Sequence, residues 1–240
     1  MVSVKPARSV PRFCLLTPLF AAMPRRARMI SVTAGARFSS NVSTGRGARV
    51  YETAVLPREF YARPAAEVAR DLVGKILVHG GVAGRIVETE AYLGAEDRAA
   101  HAWRGPTERT RVLFGPPGHV YVFLVYGMYE CLNLVAEPDG VAGCVLIRAA
   151  EPVMGLDLMR RRRPRAARET DLASGPGKLT MAFGIDRRLN GADATRGPLR
   201  VHWPVAGEPF DIDATPRIGI RHCADWPLRF LMRGNPCVSR

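Results

Sequence analysis

The chain has no uninterrupted apolar run of bilayer-spanning length, which takes about 20 residues. Its N-terminal apolar stretch from Phe13 to Met23 is short and broken by Pro18, so no membrane association is expected. Cysteine chemistry is equally sparse. Cys14, Cys131, Cys144, Cys223 and Cys237 are odd in number, widely spaced and free of any C-x-x-C pair or Cys/His ligand pattern. That argues for a reducing compartment and against a zinc site. The five histidines are scattered with no H-E-x-x-H, so no metal is expected. No period of 20 to 50 residues recurs, which excludes a solenoid or propeller.

Acidic residues are missing from positions 1 to 50, which hold nine of the 35 basic residues and none of the 22 acidic ones. The net charge of +13 is therefore concentrated there, and residues 51 to 240 carry a surplus of only four. Residues 1 to 50 read as a disordered basic extension, followed by one domain over 51 to 240. The extension's Arg- and Ser-rich, acid-poor composition also fits an organelle transit peptide. A bacterial extension is favoured, which places the protein in the cytoplasm at the nucleoid. Lysine is nearly absent, with Lys5, Lys75 and Lys178 alone, against abundant arginine.

What is present is a patterned chain with 47% hydrophobic residues, enough for a sizeable core. After Pro64, Ala65, Val68, Ala69 and Leu72 fall at helical spacing, with Gly74 near the end. KILVH from Lys75 and VAGRIVETEAY from Val82, split by Gly80 and Gly81, predict a hairpin. VYVFLVY from Val120, CLNLVA from Cys131 and CVLIRA from Cys144 predict an antiparallel meander. Pro152 is expected to open an amphipathic helix through Leu156 and Met159. That helix would close on Arg160 to Arg163, where cations suit the dipole, with an exposed loop from Arg161 to Asp171. Together these give an α+β fold: one domain, an antiparallel curved sheet with surrounding helices.

VETEAYLGAEDRAAH, from Val87 to His101, is the candidate reaction site. If the strand from Val82 continues, Glu88, Glu90 and Tyr92 project from one face. Acidic side chains are rarely buried without a partner or a task, and strands disfavour glutamate. A solvent-facing edge strand is the competing reading. SGPGKL, from Ser174 to Leu179, superficially suggests a phosphate loop, but it lacks the four-residue spacer and has Leu179 where Ser or Thr must bind magnesium.

These segments, with the aromatic hairpin YVFLVYGMYECLN (Tyr121 to Asn133) and PRIGIRHCADWPLRF (Pro216 to Phe230), resemble the alkyladenine (3-methyladenine) DNA glycosylase family from about Leu56 onward. The resemblance implies a monofunctional N-glycosyl hydrolase of base excision repair. Such an enzyme flips out and excises 3-methyladenine or 7-methylguanine, and by extension hypoxanthine or ethenoadenine, from double-stranded DNA. It also implies a monomer without cofactor.

By position, Glu90 matches the catalytic carboxylate, Arg148 the arginine that positions the attacking water, and the main chain near Ile220 a further water contact. Tyr92, His101 and Phe123 match the base-sandwiching residues, and Asn133 the amide that crowds the guanine amino group. Phe123 stands where relatives carry tyrosine, so stacking survives and a hydroxyl is lost. Tyr126 matches the intercalating tyrosine at the tip of a DNA-inserting hairpin, with Met128 and Tyr129 beside it, and Lys178 a backbone contact. With no Schiff-base lysine evident, strand cleavage is not expected. A noncatalytic nucleic-acid-binding protein on the same scaffold is the rival reading.

Overall fold

The structure, a computed structural model, describes residues 51–205 and 208–239; the expectations for residues 1 to 50 lie outside the described residues. It is an α+β fold in which every strand pairing is antiparallel. The strands are β1 (Tyr51–Val55), β2 (Ile76–His79), β3 (Val82–Tyr92), β4 (Val120–Val125), β5 (Tyr129–Val135), β6 (Cys144–Met154), β7 (Arg200–Pro204), β8 (Ile212–Thr215) and β9 (Arg229–Met232). They run in the order β1-β7-β2-β3-β6-β5-β4, and β9 joins β3 to β8. The helices are α1 (Arg58–Tyr61), α2 (Ala65–Leu72), α3 (Leu156–Arg162) and α4 (Pro176–Phe183).

The long strands β3 and β6 form the axis. β6 lies along one side of β3; on the other side β2 covers its first half and β9 pairs with Glu88, Thr89 and Glu90. The acidic strand is thus central, and the edge-strand reading is overturned because partners flank it on both sides. α2 buries Ala65, Val68, Ala69 and Leu72, the residues its spacing selected. Each buried Val or Leu contributes about 1.5–3 kcal/mol. Thr89 Oγ1 donates to the Ala69 carbonyl at 2.7 Å, tying β3 to this helix.

Pro152 does not open a helix. It lies inside β6 opposite Gly84, where the register shifts and a missing N–H costs no regular ladder bond. Gly155 ends the strand instead. Its φ is +76°, and a Cβ there would sit 2.5 Å from the Gly81 carbonyl oxygen. Only then does α3 begin, and it reaches Arg162, so the expected loop from Arg161 starts later. That loop also ends early, in a 3-10 turn at Glu169–Asp171.

Candidate active site

Paired residues in a sheet point to the same side, and the register sets one residue from each of five strands in a transverse row: Tyr121, Asn133, Leu146, Glu90 and Arg229. Above this row opens a cavity of about 350 Å³. Tyr92, His101, Phe123, Asn133, Arg148 and Ile220 all line it, as does Tyr126 at its rim. Seven of the residues chosen from the sequence therefore share one pocket, of a volume that suits a small planar ligand, while Glu90, Met128, Tyr129 and Lys178 are not among the residues that line it.

Arg148 reaches this face through a bulge. Glu88 pairs with Ala149 and Thr89 with Ile147, which leaves Arg148 as the extra residue, a device that re-aims side chains. Its Nε donates to Glu88 Oε1 at 2.9 Å, and its Nη1 lies 3.3 Å from Glu90 Oε1. Both carboxylates are fully buried. Glu88 also accepts from Arg229 Nε (2.7 Å), Ser239 Oγ (2.9 Å) and the Ser239 N–H (2.7 Å). With its oxygens so occupied, Glu88 is a buttress for Arg148.

Glu90 is partnered more sparingly. Oε1 accepts from the Ile218 N–H at 2.8 Å, and Oε2 accepts from the Tyr92 hydroxyl at 2.9 Å. Burial, and then the adjacent Glu90, raise the Tyr92 phenol far above its ordinary range, so it stays protonated and donates. A carboxylate offers about four lone-pair sites, so acceptor capacity on Oε2 remains for a further donor. A sealed, oriented carboxylate with spare acceptor capacity beside an aromatic pocket can take a proton from water and stabilise a nearby positive charge.

The loops on either side of the pocket are pinned by one buried ion pair. Arg217 Nη2 donates to Asp97 Oδ1 at 2.9 Å, Nη1 donates to Asp97 Oδ2, and Nη1 also reaches the Ala91 carbonyl at 2.9 Å. Its guanidinium lies 4.7 Å from the Tyr92 ring centroid. Asp97 in turn accepts from the Ala99 N–H at 3.0 Å. The pair fixes the segment leading to His101 and the segment presenting the Ile218 N–H. Gly94 permits the first of these to pass close to the sheet, since a Cβ there would collide with the Ala142 carbonyl.

His101 meets Phe123 edge-on at 4.5 Å between centroids, Phe123 stacks on Tyr121 at 5.5 Å, and His101 Nδ1 lies 3.0 Å from the Tyr121 hydroxyl. Although the residue is exposed, partial desolvation of its ring against the aromatic wall, and then the Arg109 cation, push the imidazole down to about 4, so it is neutral at neutral pH. Asn133 Nδ2 donates to the Tyr121 carbonyl at 3.2 Å, holding the amide at the floor.

At the β4–β5 tip, Tyr126 and Gly127 have φ of +52° and +69°, and the Met128 N–H donates to the Val125 carbonyl at 3.2 Å. This is the sign pattern of a tight hairpin turn. A non-glycine residue there costs about 1–2 kcal/mol. Tyr126 is 83% exposed and Met128 67%, with Tyr129 partly exposed behind them. α4 lies against the hairpin: a Cβ on Gly177 would be 3.0 Å from Tyr129. Lys178 Nζ donates to Ser174 Oγ at 3.3 Å at the start of this helix.

The sequence reading missed several participants. Glu90's main-chain partner is Ile218, while Ile220 only lines the cavity. Arg217, Ile218 and Arg229 lie within the C-terminal segment already singled out, but nothing in its pattern told which of them turn inward. Asp97, likewise inside its segment, was hidden among surface-type acids, and Ser239 belongs to no motif. No group of three or more His, Cys, Asp or Glu among the described residues is placed to hold a metal ion.

Comparison with known proteins identifies the family. A model of the family "Methylpurine-DNA glycosylase (MPG)" matches residues 59–236. A protein of Methanocella arvoryzae named "Putative 3-methyladenine DNA glycosylase" is 53% identical over 194 residues, covering 78% of this chain and 96% of the relative. Proteins bearing the same name from Methanoculleus marisnigri and Burkholderia lata are 50% and 48% identical, over 77% and 78% of this chain and 98% and 91% of their own lengths. The chain belongs to the methylpurine-DNA glycosylase family of DNA-repair hydrolases.

Proposed function

We propose that residues 51 to 240 form a monomeric, monofunctional glycosylase that excises 3-methyladenine and 7-methylguanine from double-stranded DNA by hydrolysis and leaves an abasic site. The observation that carries this reading is Glu90, a fully buried carboxylate under an aromatic cavity whose rim holds an exposed tyrosine.

Reaching a stacked base requires rotating its nucleotide out of the duplex, at about a few kcal/mol. Tyr126 enters the gap, with Met128 and Tyr129 against the groove and Lys178 on a phosphate. The extruded base enters between Tyr92 and the His101–Phe123 wall, where its positive charge is attracted to the aromatic faces. The C1′–N9 bond then breaks, its electron pair leaving with the base, which departs neutral. Water attacks C1′ and gives its proton to Glu90, whose charge also stabilises the oxocarbenium-like sugar. Arg148, held by Glu88, orients Glu90 and the water, and the main chain at Ile218 to Ile220 closes that side.

Neutral lesions such as hypoxanthine and ethenoadenine need help at the leaving group. Phe123 lacks a hydroxyl and His101 is neutral, so cationic lesions rank first. Asn133 excludes normal guanine by crowding its amino group. The site of action is the bacterial cytoplasm at the nucleoid, with residues 1 to 50 as a basic extension.

The test is incubation of the purified protein with methylated duplex DNA, with and without chelator, followed by identification of the released bases. Release of methylated purines insensitive to chelator is expected. Tight binding without any base release overturns the reading in favour of a noncatalytic binder.

A further inference from the structure

The arginine run RRRRPRAAR, Arg160 to Arg168, is sorted by the fold into spent and unspent charges. Arg160 contacts Asp157 and Glu169, and Arg168 chelates Asp171. Arg162 Nη1 donates to the Ala182 carbonyl at 3.0 Å and packs on Gly184. Arg163 and Arg165 have no carboxylate partner among the described residues. Arg163 touches Met181 Sδ at 3.8 Å and the Asp171 carbonyl at 3.4 Å, and its Nε is buried without a partner.

These two arginines, with Pro164, Tyr129 and Met181, line a second cavity of about 320 Å³. Tyr129 links it to the hairpin. It is the first residue of β5, directly after the exposed Met128, and it packs on Gly177, whose neighbour Pro176 lines the base pocket. A strand passing the tip at Tyr126 therefore meets Tyr129 and then the two uncompensated guanidiniums.

We infer that this groove is a second nucleotide subsite for the DNA strand flanking the extruded nucleotide. Arg163 and Arg165 hold consecutive phosphates, and the Tyr129 ring and Met181 thioether pack on the sugar and base edge. The inference rests on the proposed action on duplex DNA and adds a footprint beyond the base pocket. Guanidinium forks match phosphate oxygens, and an aromatic with a polarizable thioether packs on any base without reading its identity. The subsite is thus expected to add affinity and salt dependence without lesion preference.

The experiment measures affinity for a duplex carrying a tetrahydrofuran abasic analogue, by anisotropy, at several salt concentrations. Each phosphate neutralised, with release of its counterion, contributes about 0.9 to the magnitude of the slope of log affinity on log salt, so Arg163→Gln/Arg165→Gln should lower it by about 1.8. Arg165→Gln alone, at an exposed residue with no contacts to lose, should lower it by about 0.9. Arg161→Gln is the control. That residue is exposed, equally unpaired among the described residues and outside the groove, and its slope should stay at the wild-type value. Unchanged slopes in both groove variants, or an equal loss in Arg161→Gln, overturn the subsite. If wild type releases methylated bases while the slopes stay equal, the subsite alone falls. If the slopes behave as expected but no base is released, the glycosylase reading falls and the subsite stands as a DNA contact.

Discussion

Beneath the floor of the base pocket Glu88 and Glu90 are completely buried, whereas at the hairpin tip Tyr126 and Met128 stand 83% and 67% exposed. One region holds charge where apolar residues belong, and the other holds apolar surface where charge belongs. The floor meets its desolvation cost within the molecule: Glu88 with Arg148, Arg229 and Ser239, Glu90 with Arg148, Tyr92 and Ile218, and Asp97 with Arg217. The tip meets nothing. Gly127 has no atom within reach of a Cβ, and Tyr126 carries a left-handed backbone besides. Interactions completed within the fold position a reaction, and interactions left open await a partner. Substitutions at the floor should therefore register in stability or in chemistry, and those at the tip in DNA affinity.

The largest effect on stability is expected from Arg217→Met, which leaves Asp97 buried and unpaired. Breaking a buried ion pair in this way costs about 3–5 kcal/mol, readable by denaturant unfolding. A loss below about 1 kcal/mol would show that water reaches Asp97 and that the pair does not pin the loops.

Tyr126→Ala should leave unfolding unchanged but weaken binding to lesion duplex. Stacking is worth about 1–3 kcal/mol, so a five- to hundredfold loss is expected there, with little change in excision from single strands. Equal losses on both substrates would move Tyr126 into the base pocket, and no loss on either would make it a turn residue.

Ser239→Ala probes the buried region without entering the pocket, because Ser239 touches Glu88 and Arg148 but lies behind the cavity. A hydrogen bond to a charged group is worth about 1.5–3 kcal/mol, and part of it should appear as base release slowed about three- to tenfold. Affinity for abasic duplex should hold, and Ser239→Thr should restore the rate. A rate unaltered by Ser239→Ala would confine this contact to packing.

The smallest effect concerns pH, because the His101 ring is exposed and solvent screens most of its shift. His101 is held near 4 in the folded protein, below the ordinary value of 6.5, so the unfolded chain binds more protons between these values. Stability should rise as pH rises from about 4 to 6.5 and be complete above that window. His101→Gln should flatten this part of the profile, and an unchanged slope would assign it to other groups.

Much of this was legible in the chain. The spacing of Val68, Ala69 and Leu72 selects the buried face of α2, and Gly80–Gly81 marks the hairpin, because both are local signals set by a few residues. The strand through Pro152 was not legible. Its tolerance there depends on a register shift opposite Gly84, a property of two segments far apart in sequence. The same holds for the site. Glu90 and Tyr92 share a face by simple alternation, but Arg148 turns toward them through a bulge, and Ser239 arrives from 151 residues beyond Glu88. A sequence shows which residues have the chemistry; pairing across the sheet determines which of them meet.

In the proposed mechanism Glu90 performs the bond chemistry and holds neither the fold nor the DNA. Single-turnover base release by Glu90→Gln, at enzyme concentrations that saturate a methylated duplex, tests it most directly. This variant should fold, bind the duplex as wild type does, and release base at least about a hundredfold more slowly, the scale of a general-base contribution. Release at close to the wild-type rate from the fully bound duplex would contradict that mechanism and place the reacting carboxylate elsewhere.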